Sequence, residues 1–458
     1  MSAGTPVGAP PRGAPARKEP DSVLGSLRDR LIGGSLWTLA GYGSKLGLRL
    51  AGNLILTRLL FPEHFGLMAL VQIILNGLTL LSDVGLRASI INDARGEDQR
   101  FLDTAWTMQV LRGLYLWLAA CTLAWPAATF YGHDELLALV PVAGLSCLIE
   151  GFASTARYTL ARRVTLKQRT IQEVVTRVVS IGVTVAIALA WRSVWAIVIG
   201  SLASSVVSTV WSHRLIEGYR NRFQYDREIA RSMLRFGRWV FASTALGFLI
   251  GQGDRLFLGK VFEPGPMGVY SVAFFLAQAM TMTVGEISMN VLHPVYARLR
   301  ELPAAEFRAK VLRIRKALLL LFLPAVWLLV ILGPWIVRWL YDPCYEDAGW
   351  MLRLLAIGHV GTLIGVTADR VILASGNSLD HLLLQVARAV LLVAGMLAGY
   401  AIGQVPGLLI GMSAARIVEY VPLAFFLRKH GAWLPKLDLA VFAISGVVLW
   451  LGVWLLDR

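Results

Sequence analysis

Long apolar runs separated by short polar breaks repeat along the chain from Gly33 to Leu456. An α-helix needs roughly 20 apolar residues to cross a hydrocarbon core. Six such runs come first, at Gly33–Leu60, Phe65–Ile91, Thr104–Phe130, Leu136–Thr155, Ile171–Trp191 and Val194–Leu215. A polar, basic stretch follows, from His213 to Arg231. Then come Phe236–Leu258, Met267–Val291, Ala317–Val337, Trp350–Ala374, His381–Gly403, Pro406–Leu427 and Leu437–Leu456. The pattern predicts an all-α integral membrane protein with about 12–14 transmembrane helices, since only helices or closed barrels satisfy their backbone inside lipid. The last run either spans or lies re-entrant or interfacial. The domain reading is a disordered cytoplasmic tail (1–32), a six-helix bundle (33–216), a cytoplasmic linker (217–232), a second six-helix bundle (233–428) and an extra C-terminal span (429–458).

The polar breaks carry a second pattern. Alternate loops are basic: residues 157–169, 213–238, 296–316 and 428–436. The loops between them, 61–64, 131–135, 259–268, 341–349 and 403–406, are short and acidic or neutral. Lys and Arg accumulate on the cytoplasmic side of membranes, so the alternation predicts a cytoplasmic N-terminus. It also accounts for the net charge of +15. A nucleic-acid partner is not expected, because no basic, aromatic-interleaved soluble domain exists to carry one. With 56% hydrophobic and 16% charged residues, the composition departs from soluble proteins, about a quarter of whose residues are charged.

The chain repeats itself. Residues 58–66, RLLFPEHFG, resemble 260–268, KVFEPGPMG. A shift of 202 places Pro62 on Pro264 and Gly66 on Gly268, with Asn76 on Gln278 further along. The first and seventh runs therefore pair, as do the second and eighth. Parallel repeats related by an axis along the membrane normal are a transporter plan, with substrate held between the halves.

Charges within the runs mark the candidate chemistry. One near the bilayer centre costs ~2.5–3.5 kcal/mol on insertion scales, so it faces a cavity or a partner. Lys45, Arg49 and Asn53 stack on one helix face at intervals of four. Two like charges so placed repel, which favours a visiting anion over a resting arrangement. Ion pairing with a carboxylate on another helix is the alternative. Gln72, Asn76, Thr79 and Asp83 form one polar stripe, either lining a cavity or joining packed helices. Further deep charges are Arg112, Arg177, Asp254, Arg255, Asp369, Arg370, Arg388, Arg416 and Glu419, of which Arg416 with Glu419, and Glu173 with Arg177, have the spacing of internal ion pairs. The balance is cationic, which suits phosphate or diphosphate through bidentate guanidinium bonds.

No metal or cofactor is expected. The cysteines Cys121, Cys147 and Cys344 show no CxxC spacing. GDRLFLGKV (253–261) has the wrong glycine spacing for a P-loop and lacks the following Ser or Thr. No hydrolase motif appears in a suitable context, so the chain reads as a non-enzyme.

Several stretches, taken in order, resemble the Wzx-like polysaccharide flippases of the multidrug/oligosaccharidyl-lipid/polysaccharide exporter superfamily. They are LTRLLFPEHFGLMAL (56–70), LLSDVGLRASII (80–91), FLDTAWTMQVLRGLYL (101–116), WRSVWAIVIG (191–200) and residues 235–278. The resemblance covers about Gly33 to Leu427. It implies two pseudo-symmetric six-helix bundles around a central cavity, and outward movement of an undecaprenyl-diphosphate-linked oligosaccharide by alternating access. On that reading Lys45, Arg49, Arg112, Arg255 and Arg416 neutralise the diphosphate, while Asn53, Asn76 and Gln278 meet the sugars. Asp83, Asp254 and Glu286 are candidates for coupling to a proton or other ion. A polysaccharide polymerase and a chain-length regulator would be partners beside membrane lipid. Rivals are a lipid II flippase, a cation-coupled drug exporter, and a membrane polymerase or glycosyltransferase. The outer loops are too short for the folded domain the last would need.

Overall fold

Two helices of this protein begin at a proline, Pro62 and Pro264. Proline suits the first turn, where its missing N–H has no intrahelical partner to lose. These matched prolines organise the fold. The computed structural model describes residues 43–456, apart from 45, 83, 84, 87, 88, 91, 92, 94, 163–165, 217 and 218. Lys45, Asp83, the N-terminal tail and the start of the first apolar run lie outside the described residues.

The described residues contain no strand. Helix α1 covers residues 46–59. It is followed by α2 (Pro62–Leu81), α3 (Gln99–Tyr131), α4 (Leu136–Gly151), α5 (Ala156–Arg162), α6 (Leu166–Ala190) and α7 (Trp195–Ser212). The second half holds α8 (Arg227–Val261), α9 (Pro264–Ile287), a π-helical turn at Ser288–Leu292, α10 (His293–Leu299) and α11 (Ala304–Leu340). It closes with α12 (Ala348–Leu373), α13 (Ser378–Val418), α14 (Tyr420–Lys429) and α15 (Pro435–Leu456).

Nine helical stretches among the described residues are long and apolar enough to cross a membrane. One of them, Ser378–Lys429, is not straight. Gly403 and Gln404 leave helical geometry, Gln404 at φ 51°, and the chain folds back so that Gly399 meets Gly407. That is the turn expected at GQVP, and it makes two arms of α13. Three boundaries differ from the hydropathy reading. The fourth run ends at Gly151 rather than Thr155, leaving a short helix of 16 residues. Two basic loops are largely helical, because α5 and α6 enter the 157–169 stretch and α10 and α11 the 296–316 stretch. Likewise α8 begins at Arg227, capped by the Asp226 carboxylate on the backbone N–H groups of Glu228 and Ile229. Hydropathy marks where lipid stops; helical hydrogen bonding continues into water as long as the sequence permits it.

In the first half α3 packs on α4, α4 on α7 and α6 on α7, with α2 against α4. In the second, α12 packs on α11, α13 and α14, and α11 on α15. The two bundles meet where α2 lies against α9 and α8. Leu70, Val71, Ile73, Tyr270 and Ala273 are essentially inaccessible there and belong to one apolar core shared by both bundles.

The position of the last run is also resolved. Arg315 of α11 and Asp438 of α15 form an ion pair at 2.6 Å with both side chains fully buried. Trp327 Nε1 donates to Ser445 Oγ at 3.0 Å, and Gly452 sits against Ile331. The contacts advance along both helices together, so α15 runs parallel to α11 and beside it from Arg315 to Ile331.

Candidate functional site

The contacts between the bundles form layers, counted from the end of the molecule that carries Pro62 and Pro264. At that end the internal repeat closes on itself. A methyl group at Gly66 would overlap the Pro264 carbonyl oxygen, and one at Gly268 would overlap the Pro62 carbonyl oxygen. Each glycine therefore receives the proline of the other copy, as a twofold contact requires. Around this point Tyr345 Oη donates to the Leu60 carbonyl at 3.3 Å, and Tyr341 Oη to Asn53 Oδ1 at 2.6 Å. Burial pushes both phenol pKa values up, so the hydroxyls stay protonated as donors. Lys260 Nζ donates to the Phe130 carbonyl and lies 5.0 Å from the Phe130 ring.

One layer deeper stands Arg49. It is half-buried on α1 and reaches across to α9, where Nη1 lies 3.5 Å from Met282 Sδ and the guanidinium 5.2 Å from the Phe275 ring. Asn76 and Gln278 are also half-buried, at matched positions in α2 and α9. Fourteen residues separate each from its proline. At 1.5 Å per residue that is about 21 Å from the prolines, about two-thirds of the way across a ~30 Å core. At the opposite end α3 is tied to the chain that leads into α8: Gln99 Nε2 donates to the Arg220 carbonyl at 3.0 Å, Asp103 and Thr104 accept from the backbone N–H groups of Arg222 and Asp226, and Ile229 and Met233 pack on Phe101, Leu102 and Ala105.

The remaining candidates separate by environment. Arg112 is bound into the first bundle: Nε donates to the Ser82 carbonyl at 2.9 Å and Nη2 to the Thr79 carbonyl at 2.6 Å. It caps the last carbonyls of α2. Asn53 is half-buried and engaged by Tyr341. Arg255 lies with its guanidinium 3.9 Å from the Phe274 ring, a stacking contact available to arginine's planar group. Its neighbour Asp254 is buried and accepts a hydrogen bond from the Tyr270 hydroxyl. The Arg255 and Arg416 charges both act on that pair. Glu286 is exposed, just before the π-helical turn. Thus Arg49, Asn53, Asn76 and Gln278 belong to the interface layers, Asp254, Arg255 and Arg416 to a cluster in the second bundle, and Arg112 to a helix end.

Sequence spacing missed the partners of the deepest charges. Glu419 pairs with Arg388 at 3.7 Å rather than with Arg416. Arg388 also donates to Asp369 at 3.1 Å. Arg370 stands 3.6 Å from the same carboxylate. Three helix segments supply this network, and no local spacing signals such a pairing.

These features can be compared with known proteins. Residues 55–348 match the family described as polysaccharide biosynthesis protein. The lipopolysaccharide biosynthesis protein WzxC of Escherichia coli is 23% identical over 79% of this chain and 71% of its own length. The amylovoran biosynthesis protein AmsL of Erwinia amylovora is 25% identical over 58% of this chain and 69% of its own. The succinoglycan biosynthesis transport protein ExoT of Rhizobium meliloti is 21% identical over 57% and 53%. Among solved structures, the Vibrio cholerae MATE transporter VcmN aligns over 89% of this chain and 98% of its own with a TM-score of 0.61 at 13% identity. An inward-facing multidrug resistance MATE transporter of the MOP superfamily aligns over 85% and 95% with a TM-score of 0.58 at 15% identity. The fold is that of these two-bundle transporters.

Proposed function

This chain belongs to the polysaccharide biosynthesis protein family, and from that premise we propose that it is a flippase for polyprenyl-diphosphate-linked oligosaccharides in the bacterial inner membrane. The observation that carries the reading is the layered interface. The two halves are tied at the Pro62 and Pro264 end, and a cation, Arg49, stands directly beneath the tie. With the basic loops cytoplasmic, the Pro62 and Pro264 end faces outward, and Arg49 stands on its cytoplasmic side.

In this mechanism Arg49, with Lys45 from the preceding turn, meets the diphosphate as it enters from the cytoplasmic leaflet. Arg255 and Arg416 take it up as the second bundle rocks. Arg112 steadies the end of α2 beside the path. Asn53, Asn76 and Gln278 exchange hydrogen bonds with the sugars, while the prenyl chain stays in lipid between the bundles. Release outward requires the Gly66 and Gly268 contacts to part and Tyr341 to leave Asn53. No bond in the cargo is made or broken. Asp83, Asp254 and Glu286 are the groups proposed to couple transport to an ion. Of the two described, Asp254 is the buried one and accepts a hydrogen bond from Tyr270, a contact that protonation of the carboxylate would change. A polymerase and a chain-length regulator would receive the unit after release.

The test is the leaflet distribution of undecaprenyl-linked oligosaccharide in a deletion strain and in one carrying Arg49→Ala at normal abundance. Accumulation of the intact unit on the cytoplasmic side in both is expected. Normal delivery in both, in a background without a second flippase, would refute this cargo. Loss of viability on deletion would point to lipid II instead. Drug sensitivity with normal polysaccharide would point to an exporter.

A further inference from the structure

We propose that the segment joining the two bundles is a docking surface for the phosphate headgroups of anionic phospholipids, which fixes the first bundle to the leaflet at that end. Residues 219–226 cross the end of the first bundle as extended chain. The N–H groups of Arg222, Gln224 and Asp226, every second residue, donate to Asp103, Thr107 and Thr104 of α3. An extended backbone presents alternate groups to one edge in this way. The Tyr219 hydroxyl and the Asn221 amide meet Thr155 Oγ1 at 2.7 and 2.8 Å. The inward side of this strap is therefore spent on the first bundle.

Its outward side carries cations and rings. Arg220, Arg222 and the adjoining Arg227 are exposed. Phe223 and Tyr225 are 68% and 60% exposed, although Phe223 also stacks on Trp106 with ring centroids 4.6 Å apart. The acid of the strap, Asp226, caps α8, and the next acid, Glu228, has Arg231 three residues on. Among the described residues, no carboxylate lies within ion-pair distance of Arg220, Arg222 or Arg227. The basic start of α11 differs. There Arg308 donates to the Gly431 carbonyl, Lys310 pairs with Glu306 and Arg315 with Asp438. Those cations serve the fold, whereas the protein does not claim the arginines of the strap.

Depth decides what meets them. Thr107 and Asp103 lie 24 and 28 residues from Tyr131 at the far end of α3. At about 1.5 Å per residue that is about 36–42 Å. A hydrocarbon core is ~30 Å thick, and ~40–45 Å with its headgroups, so the strap lies at the level of lipid phosphates. Arginine takes a phosphate there through paired hydrogen bonds, and aromatic rings favour the same layer. A soluble acidic partner would account for the arginines and not for the rings at this depth. Because the strap is bonded to α3, lipid held by it steadies the first bundle, and the second moves against it. The inference stands whatever the cargo is.

The experiment is native mass spectrometry of the full chain from micelles holding equal amounts of phosphatidylglycerol and phosphatidylcholine, with melting temperature read in each lipid. The unaltered protein should retain phosphatidylglycerol preferentially and melt higher in it, a difference that shrinks as salt is raised. Arg222→Gln with Arg227→Gln should lower the preference by about fivefold for each arginine, with melting in phosphatidylcholine unchanged. Arg222→Lys with Arg227→Lys should keep most of it, because the charge remains. Arg298→Gln with Arg300→Gln removes equal charge about 50 Å along the chain of helices from Pro264, beyond the headgroups, and should change the preference by less than about twofold. An undiminished preference in the folded Arg222 and Arg227 glutamine variant overturns the surface. So does an equal loss in the Arg298 and Arg300 variant, which would reduce the effect to net charge. Lost binding of a polyglutamate peptide with the lipid preference intact would assign the strap to an acidic protein instead.

Discussion

The two halves of this chain share a backbone plan and differ in what they do with buried cations. In the second half the most deeply buried arginines are answered. Arg315 meets Asp438, and Arg388 meets Asp369 and Glu419. Among the described residues of the first half Arg49 reaches a thioether and an aromatic face, and Arg177 has Arg49 for a charged neighbour. Pairing makes a cation part of the scaffold, because removing either member strands the other in a medium that cannot solvate it. An unpaired cation beside a cavity contributes little to the fold and is available to a ligand. The two halves thus differ in degree: carboxylate-paired arginines fix the shape of the second bundle, and Arg49 in the first is left to a ligand.

The sharpest way to break that contrast is to remove a counter-ion from the second half. Asp438→Ala leaves Arg315 buried with no partner for any of its nitrogens, since Nε and Nη1 already lack one. A loss of about 3–5 kcal/mol is expected, read as a fall in melting temperature and folded yield in detergent. Arg315→Met together with Asp438→Leu should recover most of it, because two apolar groups of similar volume carry no desolvation penalty. Arg388→Ala should cost less than Asp438→Ala, since Arg370 remains 3.6 Å from Asp369. An unchanged melting temperature in Asp438→Ala would remove the scaffold role from the second half.

The next effect lies at the tie itself. Gly66→Ala or Gly268→Ala places a methyl group on the opposing proline carbonyl, and overpacking of this kind costs about 1–3 kcal/mol. The cost falls on the tied state alone, so the equilibrium should move toward the untied one by about tenfold or more. Labelling of a cysteine placed at Asn53 from the outer face reports it: faster labelling is expected in either glycine variant. Equal labelling in both variants and in the parent would show that this contact does not seal the interface.

How much of this was legible in the sequence follows from the range of each interaction. The helices were legible because hydropathy is local, and the repeat because Pro62, Gly66 and their mates survive at a fixed shift. That shift even named the residues that touch, Pro62 with Gly268 and Gly66 with Pro264, although not that they touch each other's copy. The ends of helices were less legible: α8 starts at Arg227 through an Asp226 cap and not through hydropathy. Partners were not legible at all. The spacing of Arg416 and Glu419 suggested a pair, but Glu419 turns to Arg388, thirty-one residues back along the chain. Arg177 looked equally suited to Glu173, four residues before it, and its neighbour is Arg49 on a distant helix. Periodicity places side chains on faces; which faces meet is decided by packing.

A smaller effect tests the tie's polar rim. Tyr341→Phe deletes the donor to Asn53 Oδ1 and leaves the ring in place. A single neutral hydrogen bond contributes about 0.5–1.5 kcal/mol, so a modest drop in melting temperature and a modest gain in outer-face labelling of a cysteine placed at Asn76, which leaves Asn53 intact, should appear together. A drop in melting temperature without the gain in labelling would assign Tyr341 to the second bundle's packing rather than to the tie.

The smallest effect on stability is expected where the largest effect on transport is proposed. Arg49→Ala removes a weak sulfur contact and a cation–π contact worth about 0.5–1 kcal/mol at such a site. It also removes the repulsion that Arg49 exerts on Arg177. The two contributions oppose each other, so the melting temperature should move by little, in either direction. Measured beside Asp438→Ala in the same detergent, the pair of variants reads the contrast between the halves directly. A destabilisation by Arg49→Ala as large as that of Asp438→Ala would mean that Arg49 is held by a carboxylate outside the described residues. It would then be a scaffold ion like those of the second half, and the first half would lose its claim to the diphosphate.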